Sequence, residues 1–272
     1  MVGLVLLFVV GLIVSTGLGV LVPPQLLEGD AGVRWLLAMQ GASQLLMFFV
    51  PVLLYAALMR GGVGEELRLD FGGRKWLLGL VAVVVSLLLM PFNDWLTAWN
   101  DGWHLGPIEE PMRQLTALSE AAAERMLSLT GVGDLLLQLV VVALIPAVCE
   151  ELFFRGGVQQ ILQRWTGNAH VGVVLCALIF AVAHGDVYGL VPRLVMGLLL
   201  GYLFYLSGSM VVNVCAHFFN NGSIVVMYWL YHSGATVPDP MEPLGFPWVV
   251  IVPCLLGGAL LFWQYFARRP QG

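Results

Sequence analysis

The chain has 272 residues, of which 59% are hydrophobic and only 11% are charged, and its mean hydropathy is +0.88. A soluble domain carries about 25% charged residues, so this composition indicates an integral membrane protein and excludes an ordinary soluble domain. The formal net charge of -5 provides no basic surface for a nucleic acid. We therefore expect the lipid bilayer as a partner and no nucleic-acid partner.

The apolar segments predict an all-α polytopic membrane protein, a bundle of about eight transmembrane helices with a polar cavity inside the membrane. The expected spans are residues 2–22, 35–59, 76–95, 134–165, 171–184, 190–206, 210–231 and 246–266. We divide this single membrane domain into an N-terminal three-helix region with an outer amphipathic loop (1–133), a core (134–231) and a C-terminal helix (232–272).

Charges in the loops predict the orientation. Basic residues cluster after the second span, which marks that loop as cytoplasmic; they are Arg60, Arg68, Arg74 and Lys75. Acidic residues predominate over residues 94–134, which we expect outside. There, residues 108–129 have the periodicity of an amphipathic surface helix, which we interpret as a solvated connection rather than a substrate gate. Both termini are then cytoplasmic, and the expected location is a bacterial or archaeal cell membrane.

A charged cluster, Glu150, Glu151 and Arg155, interrupts the fourth apolar segment. Ionisable groups at the centre of a membrane helix cost on the order of 3 kcal/mol each, so this cluster predicts a functional site. Glu151 and Arg155 are four residues apart and share a helix face, while Glu150 is turned about 100° away. We predict that Arg155 pairs with Glu151 and that Glu150 points into a cavity. Pro146 is expected to bend the helix and free the Val142 carbonyl.

Two histidines and three asparagines lie in neighbouring apolar segments. At 1.5 Å per helical residue, His184 and His217 reach the same membrane layer as Glu150. The asparagines are Asn213, Asn220 and Asn221. Each such residue alone is typical of interhelical hydrogen bonding or packing. Their convergence with two glutamates and an arginine at one depth favours a functional site.

These residue types suit amide hydrolysis. A carboxylate beside a neutral imidazole can deprotonate a water, and a second histidine with an asparagine amide can stabilise an oxyanion. Glu150, His184 and His217 also have the ligand number of a catalytic zinc site. The sequence contains no His-Glu-x-x-His pair and no Gly-x-Ser-x-Gly elbow.

Three motifs resemble the CAAX protease and bacteriocin-processing family (CPBP, also called Abi) of intramembrane endopeptidases, particularly type II CAAX prenyl proteases. They are Glu-Glu-x-x-x-Arg at residues 150–155, Phe-x-x-x-His at 180–184 and His-x-x-x-Asn at 217–221. They occur in the family's order, within roughly residues 134–231. The resemblance implies an intramembrane protease that hydrolyses peptide bonds of membrane-anchored peptides or proteins, including prenylated CAAX-type substrates.

The resemblance also implies roles for individual residues. The implied catalytic residues are Glu150 and His184, which activate the water, and His217 and Asn221, which stabilise the oxyanion; the supporting residues are Glu151, Arg155 and Phe180. The family has been described both as metalloproteases and as metal-independent glutamic proteases. We favour a glutamate-activated water without a cofactor, because no residue needs a metal to explain it. A zinc ion on Glu150, His184 and His217 is the alternative.

Two other function classes remain open from the residues. Intramembrane Glu, Arg and His also mark ion-coupled transporters and proton relays, although we see no repeated halves of the kind that many transporters carry. A non-catalytic immunity or partner-binding membrane protein, in which the polar network only fixes helix packing, is the other alternative.

Overall fold

The computed structural model describes residues 2–20, 28–58, 67–69 and 72–267. Within these ranges the chain is helical and has no strand. Its helices are α1 (Val2–Val20), α2 (Gly29–Ala57), α3 (Lys75–Asp101), α4 (Glu109–Met126), α5 (Val132–Thr166), α6 (Ala169–Ala183), α7 (Leu190–Ser207), α8 (Met210–His232) and α9 (Trp248–Ala267). The predicted class, an all-α polytopic membrane protein, is confirmed.

Six described helices are long and apolar enough to cross a membrane: α2, α3, α5, α7, α8 and α9. Two shorter apolar helices occupy residues 3–15, within α1, and Ala169–Ala183, which is α6. Each predicted span coincides with a helix, but the count of eight crossings is not confirmed. Arg60 lies outside the described residues, as do both chain ends, and the predicted orientation remains a prediction.

Helix α3 extends beyond its predicted end at residue 95 and reaches Asp101. The prediction ended the helix at Trp95, and the longest polar stretch of the chain begins soon afterwards. The final turn is stabilised instead by fully buried Asn100, whose amide nitrogen donates to the Val187 carbonyl at 3.1 Å. The amide oxygen of Asn100 accepts from the Val191 backbone N–H at 2.8 Å. Hydrogen bonds to a neighbouring part of the fold therefore extend α3 beyond the end that its local sequence predicts.

Helix α4 is the predicted amphipathic helix, somewhat shorter than residues 108–129. None of its residues is buried, and Leu118 is 70% exposed. It is nevertheless attached to the loop that follows α6, because the Thr116 hydroxyl donates to Asp186 Oδ1 at 2.7 Å. The guanidinium of Arg113 also lies 4.1 Å from the ring centroid of Tyr188. This surface helix therefore contacts the chain just beyond His184.

Helix α5 carries the charged cluster, and the prediction of one long helix near 134–165 is confirmed by Val132–Thr166. Two of its stretches are π-helical, Leu139–Leu144 and Leu152–Gln159. The first directly precedes Pro146, whose ring clashes with the carbonyl four residues earlier in a regular helix, and a wider turn relieves that clash. The regular turn Ile145–Glu151 between them holds both glutamates.

Two glycines four residues apart, Gly197 and Gly201, bring α7 close to α5 and α6, because small residues at this spacing let helix backbones approach closely. A methyl group at Gly197 would lie 3.2 Å from the Ala177 backbone, and one at Gly201 would lie 2.8 Å from Val173. The buried carbonyls of the two glycines accept hydrogen bonds from Arg155 and Gln159 of α5, at 3.2 and 3.0 Å. The close approach therefore supplies acceptors for the buried polar groups of α5.

Candidate functional site

The Glu151 carboxylate is the centre of a buried polar network. It is fully buried, and its Oε1 accepts from Arg155 Nη1 at 2.9 Å. The same oxygen is 2.8 Å from His217 Nδ1, and Oε2 accepts from Asn213 Nδ2 at 3.0 Å. The predicted pairing of Glu151 with Arg155 is confirmed. Because removing one partner would leave a buried charge unpaired, each member of this network depends on the others.

Arg155 is held by more than its carboxylate partner. Its Nη2 donates to the Gly197 carbonyl at 3.2 Å, and its guanidinium lies 4.6 Å from the ring centroid of Phe180. A cation over an aromatic face is stabilised by the ring quadrupole. Phe180, which the second motif places in the supporting set, thus packs against the guanidinium of the first motif.

Asn213 takes part in the network more directly than sequence reasoning anticipated. Its amide donates to Glu151 Oε2 and also to the Leu200 carbonyl of α7 at 2.6 Å. It is fully buried and lies one helical turn before His217. The sequence offered interhelical hydrogen bonding as its plain interpretation. That interpretation is correct, but one of its partners is a carboxylate of the site.

Glu150 points away from Arg155, as its angular position on the helix predicts. Its Oε1 accepts a hydrogen bond from Gln44 Nε2 at 3.1 Å, and its Oε2 lies 3.9 Å from His217 Nε2. The side chain is only 7% exposed. His217 therefore stands between the two glutamates, bonded to Glu151 through one ring nitrogen and facing Glu150 with the other.

Gln44 was missed by sequence reasoning. It lies on α2, far from the three motifs, in a segment that the sequence marks only as an apolar span. The available signal was a glutamine within a membrane helix, where polar side chains commonly face the bundle interior. Nothing in the sequence indicated that its partner is Glu150.

His184 caps the C-terminal end of α6, at the exposed edge of the site. Its Nδ1 is 2.8 Å from the Phe180 carbonyl oxygen, and because that oxygen can only accept, Nδ1 carries the proton. In the neutral ring Nε2 is then an acceptor, as a base requires. His184 interacts electrostatically with Glu150 and His217, although no hydrogen bond joins it to either. Its ring also packs edge-on against Phe180.

Asn221 lies one turn beyond His217 on α8, as its spacing predicts. Its Oδ1 accepts from Asn220 Nδ2 at 3.3 Å, and its side chain is partly buried. It makes no hydrogen bond to the glutamates or histidines of the described site. The structure thus brings together Glu150, Glu151, Arg155, Phe180 and His217, with His184 at the edge and Asn221 one turn away.

The loop after His184 is fixed by a second acidic residue, Asp186. Its carboxylate accepts from Arg193 Nη1 at 2.6 Å and from the Thr116 hydroxyl at 2.7 Å. Burial acts to raise the pKa of Asp186, but these hydrogen bonds outweigh it and hold the pKa below its ordinary value. The ionised Asp186 therefore ties α4 and α7 to the loop that begins at His184.

The polar side chains around Glu151 are already bonded to one another. No three His, Cys, Asp or Glu side chains in the described residues are arranged to hold a metal ion. Both oxygens of Glu151 are occupied by Arg155, His217 and Asn213, and Nδ1 of His217 is bonded to Glu151. We therefore derive no catalytic step through a metal.

One family model matches this region of the chain. Residues 132–223 match "Type II CAAX prenyl endopeptidase Rce1-like", and all three motifs lie within that range. No curated protein and no solved structure matches the chain. The match supports the predicted resemblance to type II CAAX prenyl proteases, whereas the wider CPBP assignment and the three-part division of the chain stay predictions. Residues 132–223 are therefore similar to the Rce1-like type II CAAX prenyl endopeptidases.

Proposed function

We propose that this protein is an intramembrane endopeptidase that hydrolyses peptide bonds of membrane-associated, CAAX-type substrates through a water activated by Glu150 and His184. One observation carries the proposal beyond the family match. The buried cluster contains two adjacent carboxylates, of which only Glu151 is used by Arg155, while Glu150 faces a histidine. A structural ion pair needs one carboxylate, so the second is available for chemistry.

In the proposed reaction, a water lies between Glu150 and His184. Glu150 takes one proton as the water oxygen attacks the scissile carbonyl carbon, while the hydrogen that remains on that oxygen donates a hydrogen bond to Nε2 of His184, which orients the water. A C–O bond forms and the carbonyl oxygen becomes an oxyanion. The C–N bond then breaks, and the proton held by Glu150 passes to the leaving amine.

His217 and Asn221 stabilise the oxyanion in this proposal. Nδ1–H of His217 donates to Glu151, so its Nε2 can donate to an oxyanion only when the ring carries both protons. That form is balanced in charge, because two carboxylates then face Arg155 and one imidazolium. The side-chain Nδ2 group of Asn221 supplies the second donor. The hydrogen bond between Asn221 and Asn220 uses Oδ1 of Asn221, so it does not occupy Nδ2.

The proposed partners are the bilayer and a membrane-anchored peptide or protein that carries the scissile bond. The hydrophobic helices and the family match support an integral membrane protein acting on membrane-associated substrates. The reaction as proposed uses no cofactor. Its alternative is a zinc ion on Glu150, His184 and His217, which would polarise the carbonyl or the water, although these three side chains are not arranged to hold a metal in the described structure.

Cleavage of a panel of membrane-anchored peptides, with and without a prenyl group, by purified protein in liposomes tests the proposal. We expect wild type to cleave at least one peptide, Glu150→Gln to cleave none, and a chelator to leave the wild-type rate unchanged. Glu124→Gln, on the exposed face of α4, is the matched control and should retain the wild-type rate. Cleavage that a chelator abolishes and zinc restores would instead establish the metal alternative.

Absence of cleavage of every peptide by a folded wild type would count against the endopeptidase. A Glu150→Gln variant that fails to fold would favour a network that only fixes helix packing. Proton-coupled uptake in the same liposomes, lost in Glu150→Gln, would favour the transporter.

A further inference from the structure

Gln44 connects the site to a helix outside the matched domain. It lies on α2, whereas the family match begins at residue 132. Its Nε2 donates to Glu150 Oε1 at 3.1 Å, and within the described residues this is the one hydrogen bond that Glu150 receives from another side chain. The N-terminal part of the chain thus contacts the predicted base directly.

The local structure of α2 explains how Gln44 reaches α5. The stretch directly after it, Leu45–Phe49, is π-helical and precedes Pro51. A π-helical turn absorbs the disruption at the proline and changes which residues face a neighbouring helix. The same arrangement of a wide turn before a proline occurs on α5 at Pro146. Gln44 and Glu150 therefore lie beside matching irregularities of two packed helices.

Gln44 donates its amide and has a buried, unpartnered oxygen, as Gln138 and Gln159 do, but its acceptor is a side-chain carboxylate whereas theirs are backbone carbonyls. Its Nε2 faces the carboxylate, because an ionised carboxylate can only accept. Its Oε1 is then buried and has no hydrogen-bond partner among the described residues. A buried acceptor without a partner lowers stability, so packing alone would be better served by an apolar side chain. The hydrogen bond that the Gln44 amide does make, to the Glu150 carboxylate, therefore suggests a role at Glu150.

We propose that Gln44 is a positioning residue that holds the Glu150 carboxylate in its reactive orientation. The bond to Oε1 keeps Oε2 at 3.9 Å from His217 Nε2, beyond hydrogen-bond distance. Oε2 thereby stays available to a water. Without Gln44, the carboxylate is free to rotate and form a direct bond with His217, which removes both the base and the oxyanion donor. This inference rests on the proposed endopeptidase function.

Gln44→Met tests the proposal, because methionine has a similar length and no donor. We expect kcat for peptide cleavage to fall about tenfold, with KM within about twofold of wild type, since a displaced catalytic group slows the chemical step. The melting temperature should stay equal or rise, because the unpartnered oxygen is removed. Gln40→Met is the matched control: Gln40 lies one turn earlier on α2, is also half-buried, and should keep the wild-type kcat.

The outcomes separate this inference from the function on which it rests. If wild type and Gln44→Met cleave equally while Glu150→Gln is inactive, the positioning role is wrong and the endopeptidase stands. A Gln44→Met variant that melts lower or does not fold assigns Gln44 to helix packing and overturns the positioning role. If wild type cleaves no peptide, both proposals are lost.

Discussion

The two halves of the polar site differ in how completely their groups are partnered. Around Glu151, both carboxylate oxygens are occupied by three donors from α5 and α8, and the residues are buried. Around Glu150, one oxygen is held by Gln44, the other lies 3.9 Å from His217, and His184 lies at an exposed edge. Two residues adjacent in sequence thus differ in their partners: Glu151 is bonded through both oxygens, whereas within the described residues Glu150 is bonded through one.

This difference has a physical origin in helix geometry. Consecutive helical residues point about 100° apart, so neighbouring glutamates on α5 face different helices. Glu151 faces the closely packed side where Gly197 and Gly201 bring α7 near. Glu150 faces Gln44 of α2 and His217 of α8, and within the described residues its second oxygen has no hydrogen bond.

The largest expected effect is a loss of peptide cleavage without a loss of stability, caused by a substitution at Glu150. Glu150→Gln should reduce peptide cleavage by between about 10²-fold and 10⁴-fold, because an amide cannot act as a general base. Its melting temperature should change little, since glutamine still accepts a hydrogen bond from Gln44. Initial rates and thermal unfolding in detergent measure both effects. Full activity in this variant would remove Glu150 from the mechanism.

Arg155→Ala should lower the stability of the fold, because Arg155 belongs to the fully bonded network around Glu151. Removing the guanidinium leaves Glu151 buried without its cation, which costs about 3–5 kcal/mol, so we expect poor expression or a much lower melting temperature. Arg34→Ala is the control, because the Arg34–Asp134 pair is partly exposed, with an N–O distance of 2.9 Å, and should cost no more than about 1 kcal/mol. Equal melting temperatures for the two variants would contradict the distinction between the halves.

Asn213→Ala, in the same network around Glu151, should lower the stability of the fold by a smaller amount. It leaves Glu151 Oε2 and the Leu200 carbonyl without their common donor, at a cost of about 1–3 kcal/mol. The free energy of unfolding, from denaturant titration in mixed micelles, measures it. Asn220→Ala, which removes only a bond to a neighbouring side chain, serves as the control and should change stability less.

The smallest expected effect concerns Asp186, outside the membrane helices. Because its pKa is lower in the folded protein than the ordinary 3.8, the ionised form stabilises the fold above that pH, and the stabilisation is lost as the pH falls through the folded-state value. Asp186→Asn should therefore melt below wild type at pH 7, by an amount that shrinks under strongly acidic conditions. A difference between the melting temperatures that does not change with pH would argue against this ion pair with Arg193.

The sequence by itself determined the class of the protein, the pairing of Glu151 with Arg155 and the different direction of Glu150. Composition and apolar segment length required a helical membrane protein, because backbone groups in hydrocarbon must be bonded within their own helix. The four-residue spacing of Glu151 and Arg155 predicted their pairing, since helical geometry alone places them on one face. The same regularity predicted that Glu150 would point elsewhere.

The tertiary structure decided what Glu150 meets and what surrounds Glu151. Gln44 reaches Glu150 across 106 positions of the chain, and Asn213 reaches Glu151 across 62. Nor did periodicity anticipate the π-helical stretches of α2 and α5 or the extension of α3 to Asp101. Sequence patterns report the faces of one helix at a time, whereas these contacts depend on how separate helices are rotated and packed against one another, which only the assembled bundle fixes.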